Sequence, residues 1–154
     1  GFADVGASLW LPNDRAFRLP QSQELQRLAK TGVGADGEPK PGVELRPYVS
    51  NLVVDASIRR RGVGRQLMEA CEAEARSWLD ACSIDGVSQC EDIWLEVTSS
   101  NLVGLDFYRS LHFVDAGRAA GTEVQRRGDG FEMVEVERRI LRKLLTLKGG
   151  WGAA

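Results

Sequence analysis

The chain is poor in the residues that build metal centres and nucleophilic sites. Its 154 residues include one histidine, His112, and three cysteines, Cys71, Cys82 and Cys90. An odd number of cysteines without a CxxC pair supports neither a structural zinc site nor a disulfide framework. They read as reduced thiols, with Cys71 and Cys82 on the apolar face of a helix and no neighbour suited to be the base of a catalytic cysteine. An excess of one charge is also lacking: 20 basic residues against 22 acidic leave a formal net charge of -2. Nothing global draws such a chain to nucleic acid or to an anionic membrane, so any anion site must be local. No run approaches the roughly 20 apolar residues that span a bilayer, and no signal peptide is visible. An initiator methionine is missing too. The chain opens at Gly1 inside what reads as a strand, and is expected to be a processed or partial form of a longer precursor.

What is present is the composition of one ordinary domain, with 43% hydrophobic residues. Residues 1–147 read as that domain and residues 148–154 as a tail. Residues 2–11, FADVGASLWL, lack helical spacing and predict a strand ending at Pro12. Residues 12–47 hold all five prolines and the stretch GVGADGEPKPG, so they read as a long insertion. Within it, residues 22–30 have the spacing of a short helix capped by Ser22.

Residues 48–55, YVSNLVVD, are dense enough in β-branched and apolar side chains for a buried strand. Leu67, Cys71, Ala75, Trp78, Leu79 and Cys82 then recur at three- and four-residue steps, with Glu69, Glu72, Glu74 and Arg76 at the other positions, which predicts an amphipathic helix. Residues 93–98, IWLEVT, predict the next strand. Strand, helix and strand in that order form a βαβ unit, whose two strands run parallel. A short helix over residues 101–111, a strand over 113–116 and a hairpin arm in RRGDGFEMVEVE follow. Leu141, Leu144, Leu145 and Leu147 among Arg139, Arg142, Lys143 and Lys148 predict a basic amphipathic helix over residues 140–147. Such a helix would dock on its own sheet, on a protein partner or on an anionic surface.

The chemistry concentrates at residues 59–65, RRRGVGR, between the strand and the first long helix. Backbone N–H groups at a helix start have no intrahelical partner, and the macrodipole puts positive potential there. Gly62 and Gly64 remove side chains where a diphosphate would approach those donors. Arg59, Arg60, Arg61 and Arg65 add guanidinium groups suited to phosphate oxygens. The same residues also fit a solvated basic loop. No aromatic residues interleave the cluster, so a nucleic-acid binder is not expected.

The run Arg59, Arg60, Arg61, Gly62, Val63, Gly64 resembles the signature of the GCN5-related N-acetyltransferase (GNAT) family, in which Arg or Gln is followed by two free positions, Gly, one free position and Gly or Ala. At the family's distance, LEVTSSNLVGLDFYRSLHF resembles its second block. The resemblance covers residues 2–136, its specific part residues 48–113. It implies an α/β fold with a mixed central sheet and flanking helices. It also implies acetyl-CoA as cofactor, lying between two splayed parallel strands, with the strand of Asn51, Leu52, Val53 and Val54 along its pantetheine arm. The pyrophosphate would rest on residues 60–65, and Asn101 matches a cofactor-contacting asparagine. Tyr108 matches the tyrosine that protonates the departing thiolate, a task that a phenol near pKa 10 can perform. Glu96 matches the glutamate that deprotonates the amine in relatives acting on protein N-termini; a carboxylate partly shielded there suits that task. Backbone N–H groups near Val53 and Val54 would stabilise the oxyanion. No metal is implied.

Two positions depart from the family pattern. His112 replaces a glycine, at a cost if that site needs positive φ, and Gly104 replaces the usual alanine, weakening its helix by about 1 kcal/mol. The family's initial strand-helix-helix portion, which covers the acceptor side, has no counterpart ahead of Phe2. The long insertion and the YVSNL strand resemble plastid acetyltransferases of plants and algae, which act on protein N-termini and lysines. The expected activity is acetyl transfer to a primary amine of a protein or peptide, in the chloroplast or otherwise the cytoplasm. The alternative is a catalytically silent member serving as a subunit of a larger assembly.

Overall fold

A computed structural model describes residues 1–11, 16–18, 44–78, 83–84, 87–88 and 91–145. The elements are β1 (Phe2–Leu11), β2 (Ala16–Arg18), β3 (Glu44–Val53), a 3-10 turn (Ala56–Ile58), α1 (Val63–Ser77), β4 (Ser83–Ile84), β5 (Val87–Ser88), β6 (Asp92–Thr98), α2 (Leu102–Ser110), β7 (Val114–Arg127) and β8 (Gly130–Leu144). Six strands form a mixed sheet in the order β2-β1-β3-β6-β8-β7, and β4 and β5 pair separately. The α/β fold with a mixed central sheet is therefore as expected. So is the βαβ unit, because β3 and β6 are parallel neighbours joined through α1.

The core lies where the helices meet the sheet. Met68, Cys71 and Ala75 of α1 pack with Leu105 of α2, Val49 of β3, and Ile93, Leu95 and Val97 of β6. Side chains alternate across a strand, so the positions between these point to the opposite face. Burying Met68, Ile93, Leu95, Ile140 and Leu141 almost completely contributes roughly 1.5–3 kcal/mol each.

Two acidic residues tie the layers together. Glu72, which the helical pattern assigns to an outward position, is 4% exposed. It accepts from Lys143 of β8 at 2.6 Å and from Arg76 at 3.1 Å, so α1 is bonded to the sheet through β8. Asp92 of β6 accepts from Arg46 of β3 at 2.7 Å and from Arg142 of β8 at 3.4 Å, and both guanidiniums lie over the Trp94 ring. One carboxylate thus joins three adjacent strands.

Several boundaries differ from expectation. β3 begins at Glu44 rather than Tyr48, and the buried Pro47 sits inside it. The proline is accommodated because pairing with β6 starts only at Tyr48. β7 runs far beyond the expected residues 113–116, and with β8 it makes a long ribbon turning at Gly128. The amphipathic helix expected over residues 140–147 is not formed. Residues 140–144 belong to β8, which lies between β6 and β7. Ile140 and Leu141 are buried on opposite faces of that strand, so two adjacent apolar residues imitate helical spacing. The expected helix at residues 22–30, Leu79, Cys82, Cys90 and the tail at 148–154 lie outside the described residues.

Removing the Asp92 carboxylate leaves two guanidiniums without their shared acceptor. With Arg142 half exposed, the cost is discounted below the 3–5 kcal/mol of a fully buried pair, so Asp92→Ala is expected to lose about 2–3 kcal/mol. Urea unfolding checks this; a loss under about 0.5 kcal/mol contradicts the clamp.

Candidate active site

β3 and β6 pair at only two positions, Tyr48↔Trp94 and Val49↔Leu95. At the next residue β3 carries a bulge: Val5 of β1 faces Val49 and Asp4 faces Asn51, so Ser50 is extra. A bulge bends and twists its strand. Beyond it, Asn51, Leu52 and Val53 remain paired to β1 but not to β6, while β6 continues through Glu96, Val97 and Thr98. Two parallel strands therefore part at mid-sheet, leaving facing edges whose backbone groups can serve a ligand.

The chain then reaches α1 through a shaped loop. Asp55 accepts from the Ser57 amide and hydroxyl and caps the 3-10 turn, and these bonds hold its carboxyl below the usual range. Arg59 donates from Nε to the Val54 carbonyl at 2.9 Å, which makes it a brace between loop and strand. Arg60 has φ 64° and Gly62 φ 81°, both left-handed. Gly62 precedes α1 without any side-chain cap, and the first helical bond is Gln66 N to Gly62 O. The amides of Val63, Gly64 and Arg65 therefore have no acceptor among the described residues. Arg60, Arg61 and Arg65 are exposed around them. A Cβ at Gly62 would meet nothing within 4 Å, so the approach to these donors is open. An anionic group fits here.

Gly64 has another reason to be glycine. A Cβ there would come within 3.2 Å of the Phe107 ring, so its absence lets α2 pack against the start of α1. Asn101 caps α2, accepting from the Gly104 amide at 2.9 Å. A Cβ on Gly104 would lie 2.7 Å from the Asn101 amide nitrogen, so the cap side chain packs directly on this glycine. His112 has φ 68°, so the position does need the left-handed region, and histidine occupies it.

At the parting of the strands, side chains arrive from both faces. Tyr108 of α2 stands edge-on to Phe107 and Phe113, with centroids 5.3 and 5.8 Å away. Its hydroxyl makes no hydrogen bond among the described residues. Burial, then the Cys71 thiol, raises the Tyr108 pKa. Glu96, with a side chain 10% exposed, pairs with Arg138 of β8 at 3.3 Å. Tyr48 was not singled out from the sequence, because it begins an apolar strand and reads as core. Its phenol is held well above the ordinary tyrosine range by burial first and the Glu96 charge second, and it lies within electrostatic reach of Tyr108 and Arg138. Tyr48 thus lies close to Glu96, and the two phenols lie within electrostatic reach of each other. Leu52, Val53 and Val54 line the strand edge leading from them to the arginine loop, and Asn101 lies at the far end of β6, above α2.

The model of the acetyltransferase (GNAT) domain matches residues 28–115, more than half of the chain. The chain belongs to that family. Its fold is similar to that of Arabidopsis thaliana NAA60 in complex with acetyl-CoA, at 16% identity and a TM-score of 0.51 over 91% of this chain and 63% of that one. It also matches the NatC complex bound to Gag peptide and CoA, at 22% identity and a TM-score of 0.47 over 71% of this chain and 57% of that one. The ribosomal-protein-S18-alanine N-acetyltransferase from Escherichia coli matches at 20% identity and a TM-score of 0.45, over 75% of this chain and 69% of that one. The chain spans under two thirds of the first of these solved chains. At such identities the likeness is one of fold. No curated protein sequence matches significantly.

The raised phenols of this GNAT domain have a consequence for stability. Unfolded tyrosine titrates near 10. Above that pH the unfolded chain has released protons that folded Tyr48 and Tyr108 still hold, so the stability these phenols contribute is complete below about 10 and falls as pH rises through it. Cys71, raised by burial and by Asp4, acts in the same direction from its own lower starting point. Urea midpoints measured from pH 8 to 11 should decline above about 10, and Tyr48→Phe should flatten that decline. An unchanged slope in Tyr48→Phe contradicts the buried phenol.

Proposed function

We propose that this chain transfers an acetyl group from acetyl-CoA to a primary amine of a protein or peptide, an N-terminus or a lysine. The observation that carries the reading is the parting of β3 from β6 at Ser50, after which the freed strand runs on through Val54 to the uncapped start of α1. Acetyl-CoA supplies an activated thioester. The chain's own residues divide the remaining work.

Val63, Gly64 and Arg65 amides, with the Arg60, Arg61 and Arg65 guanidiniums, hold the pyrophosphate at the open helix start. Backbone groups of Leu52, Val53 and Val54 align the pantetheine arm. The Asn101 side-chain oxygen is engaged in its cap, and its NH2 group remains to donate toward the cofactor. Glu96 takes the proton of the acceptor ammonium, directly or through one water, freeing the lone pair that attacks. Tyr108 donates its proton to the departing thiolate. A phenol keeps that proton at neutral pH, and among the described residues no hydrogen bond competes for the hydroxyl. Tyr48, also protonated, packs beside Glu96 and shields it from water.

The preference for protein amines and a chloroplast location rest on the YVSNL strand and the long insertion that resemble plastid acetyltransferases. The partner suggested for a basic C-terminal helix loses its basis up to Leu144, because that segment is interior strand.

Calorimetric titration of acetyl-CoA tests the reading, and the left-handed backbone of Gly62 sets the choice of variants. Asn and Asp both tolerate positive φ, so they share the strain and differ in charge. Gly62→Asn is expected to keep binding within about threefold, and Gly62→Asp to weaken it by about tenfold or more. Equal binding by both moves the pyrophosphate elsewhere, and no binding by the starting chain removes the enzyme reading. With binding retained, Tyr108→Phe and Glu96→Gln should each lower kcat on the order of 100-fold in an acetyl-transfer assay. Unchanged kcat removes the corresponding role.

A further inference from the structure

Glu96 does not hold its position alone. Its carboxylate meets the Arg138 guanidinium, which reaches across from β8 and also donates to the Thr122 carbonyl of β7 at 2.9 Å. Register explains the meeting. Glu96 faces Ile140, Thr98 faces Arg138, and Arg138 faces Ala119, so Glu96, Arg138 and Gly121 project from the same side of three adjacent strands. Gly121 makes the arrangement possible. A Cβ there would lie 2.7 Å from Arg138 Nε and 3.0 Å from Cζ, so the Arg138 side chain packs directly on the Gly121 backbone. Gly121 has no positive φ to require glycine, which leaves this contact as its reason. Beside it Thr98 and Glu123 bond to each other, so Glu123 does not compete for Arg138.

We propose that Arg138 is a positioning residue for the proton-accepting carboxylate, and that Gly121 is the device that seats it. Held by Thr122 at one end, the guanidinium fixes the Glu96 carboxylate facing the parting of β3 and β6. Its two anchors lie on β6 and β7, so the hairpin arm is coupled to the reaction centre through one side chain. The assignment rests on Glu96 acting as the base, and the test separates the two.

The experiment is a double-mutant cycle. It measures kcat and the acetyl-CoA KM with a synthetic octapeptide bearing a free α-amine and one internal lysine. Misplacing a catalytic group by about 1 Å costs up to 100-fold, so Arg138→Ala is expected to lower kcat by about tenfold or more with the acetyl-CoA KM unchanged. Added guanidinium ion should restore part of that loss, which a purely structural defect would not allow. In the Glu96→Gln background the same substitution should cost less than about twofold, since the group it positions is gone. Gly121→Ala pushes the guanidinium aside without touching either charge. It should lower kcat by about threefold or more, and it serves if Arg138→Ala does not fold. Equal losses from Arg138→Ala in both backgrounds overturn the positioning role while leaving the base in place, as does wild-type kcat in Gly121→Ala. Wild-type kcat in Glu96→Gln overturns the base reading, and the assignment of Arg138 with it.

Discussion

The parallel contact between β3 and β6 stops after two residue pairs, and the rest of the site depends on that early stop. A parallel ladder left to run would consume the backbone groups of both strands. Here the extra residue Ser50 turns β3 away while its other edge stays sewn to β1, so the sheet opens without losing an edge strand. The opening creates the facing backbone edges, and Tyr108 on the helical side lies within electrostatic reach of Tyr48 on the other. Without it the same residues would be separated by a closed sheet.

An opening in mid-sheet removes contacts that fix strand register, and the charged clamps lie on either side of it. Asp92 bonds β3 and β8 at the end of β6 away from the opening, and Glu72 ties α1 to Lys143 of β8. Each acid is nearly sealed from water, and each has two basic partners. Buried ion pairs add little net stability over an apolar packing, but they specify which partners meet. Here they specify the register of the strands on either side of the opening, and with it the alignment of Glu96 with Arg138.

The parts of this architecture that are legible in the sequence are those encoded locally. The start of α1 is read from a strand, a glycine-bearing basic loop and an apolar stripe at three- and four-residue steps. Asn101 and the left-handed turn at His112 are read from their own positions in a short motif. The parts that escape depend on distant partners. Glu72 looks like a solvent position because Lys143, its partner, is 71 residues away. Residues 140–144 look helical because a strand buried on both faces places apolar residues side by side. Gly64 reads as room for a ligand, and its neighbour turns out to be Phe107. Tyr48 looks like core because nothing nearby in sequence announces Glu96, and Arg138 gains meaning only through the pairing of β6 with β8.

On the proposed reading, acetyl-CoA occupies the parting of β3 and β6 and the start of α1 as one continuous site. Hydrogen exchange followed by mass spectrometry with and without acetyl-CoA addresses it directly. Amides in residues 50–53 and residues 63–65 are expected to slow together at the same ligand concentration, while those of the already paired residues 48 and 49 change little. Slowing at residues 63–65 with no change at residues 50–53 would contradict it, because the strand edge would then have no part in binding.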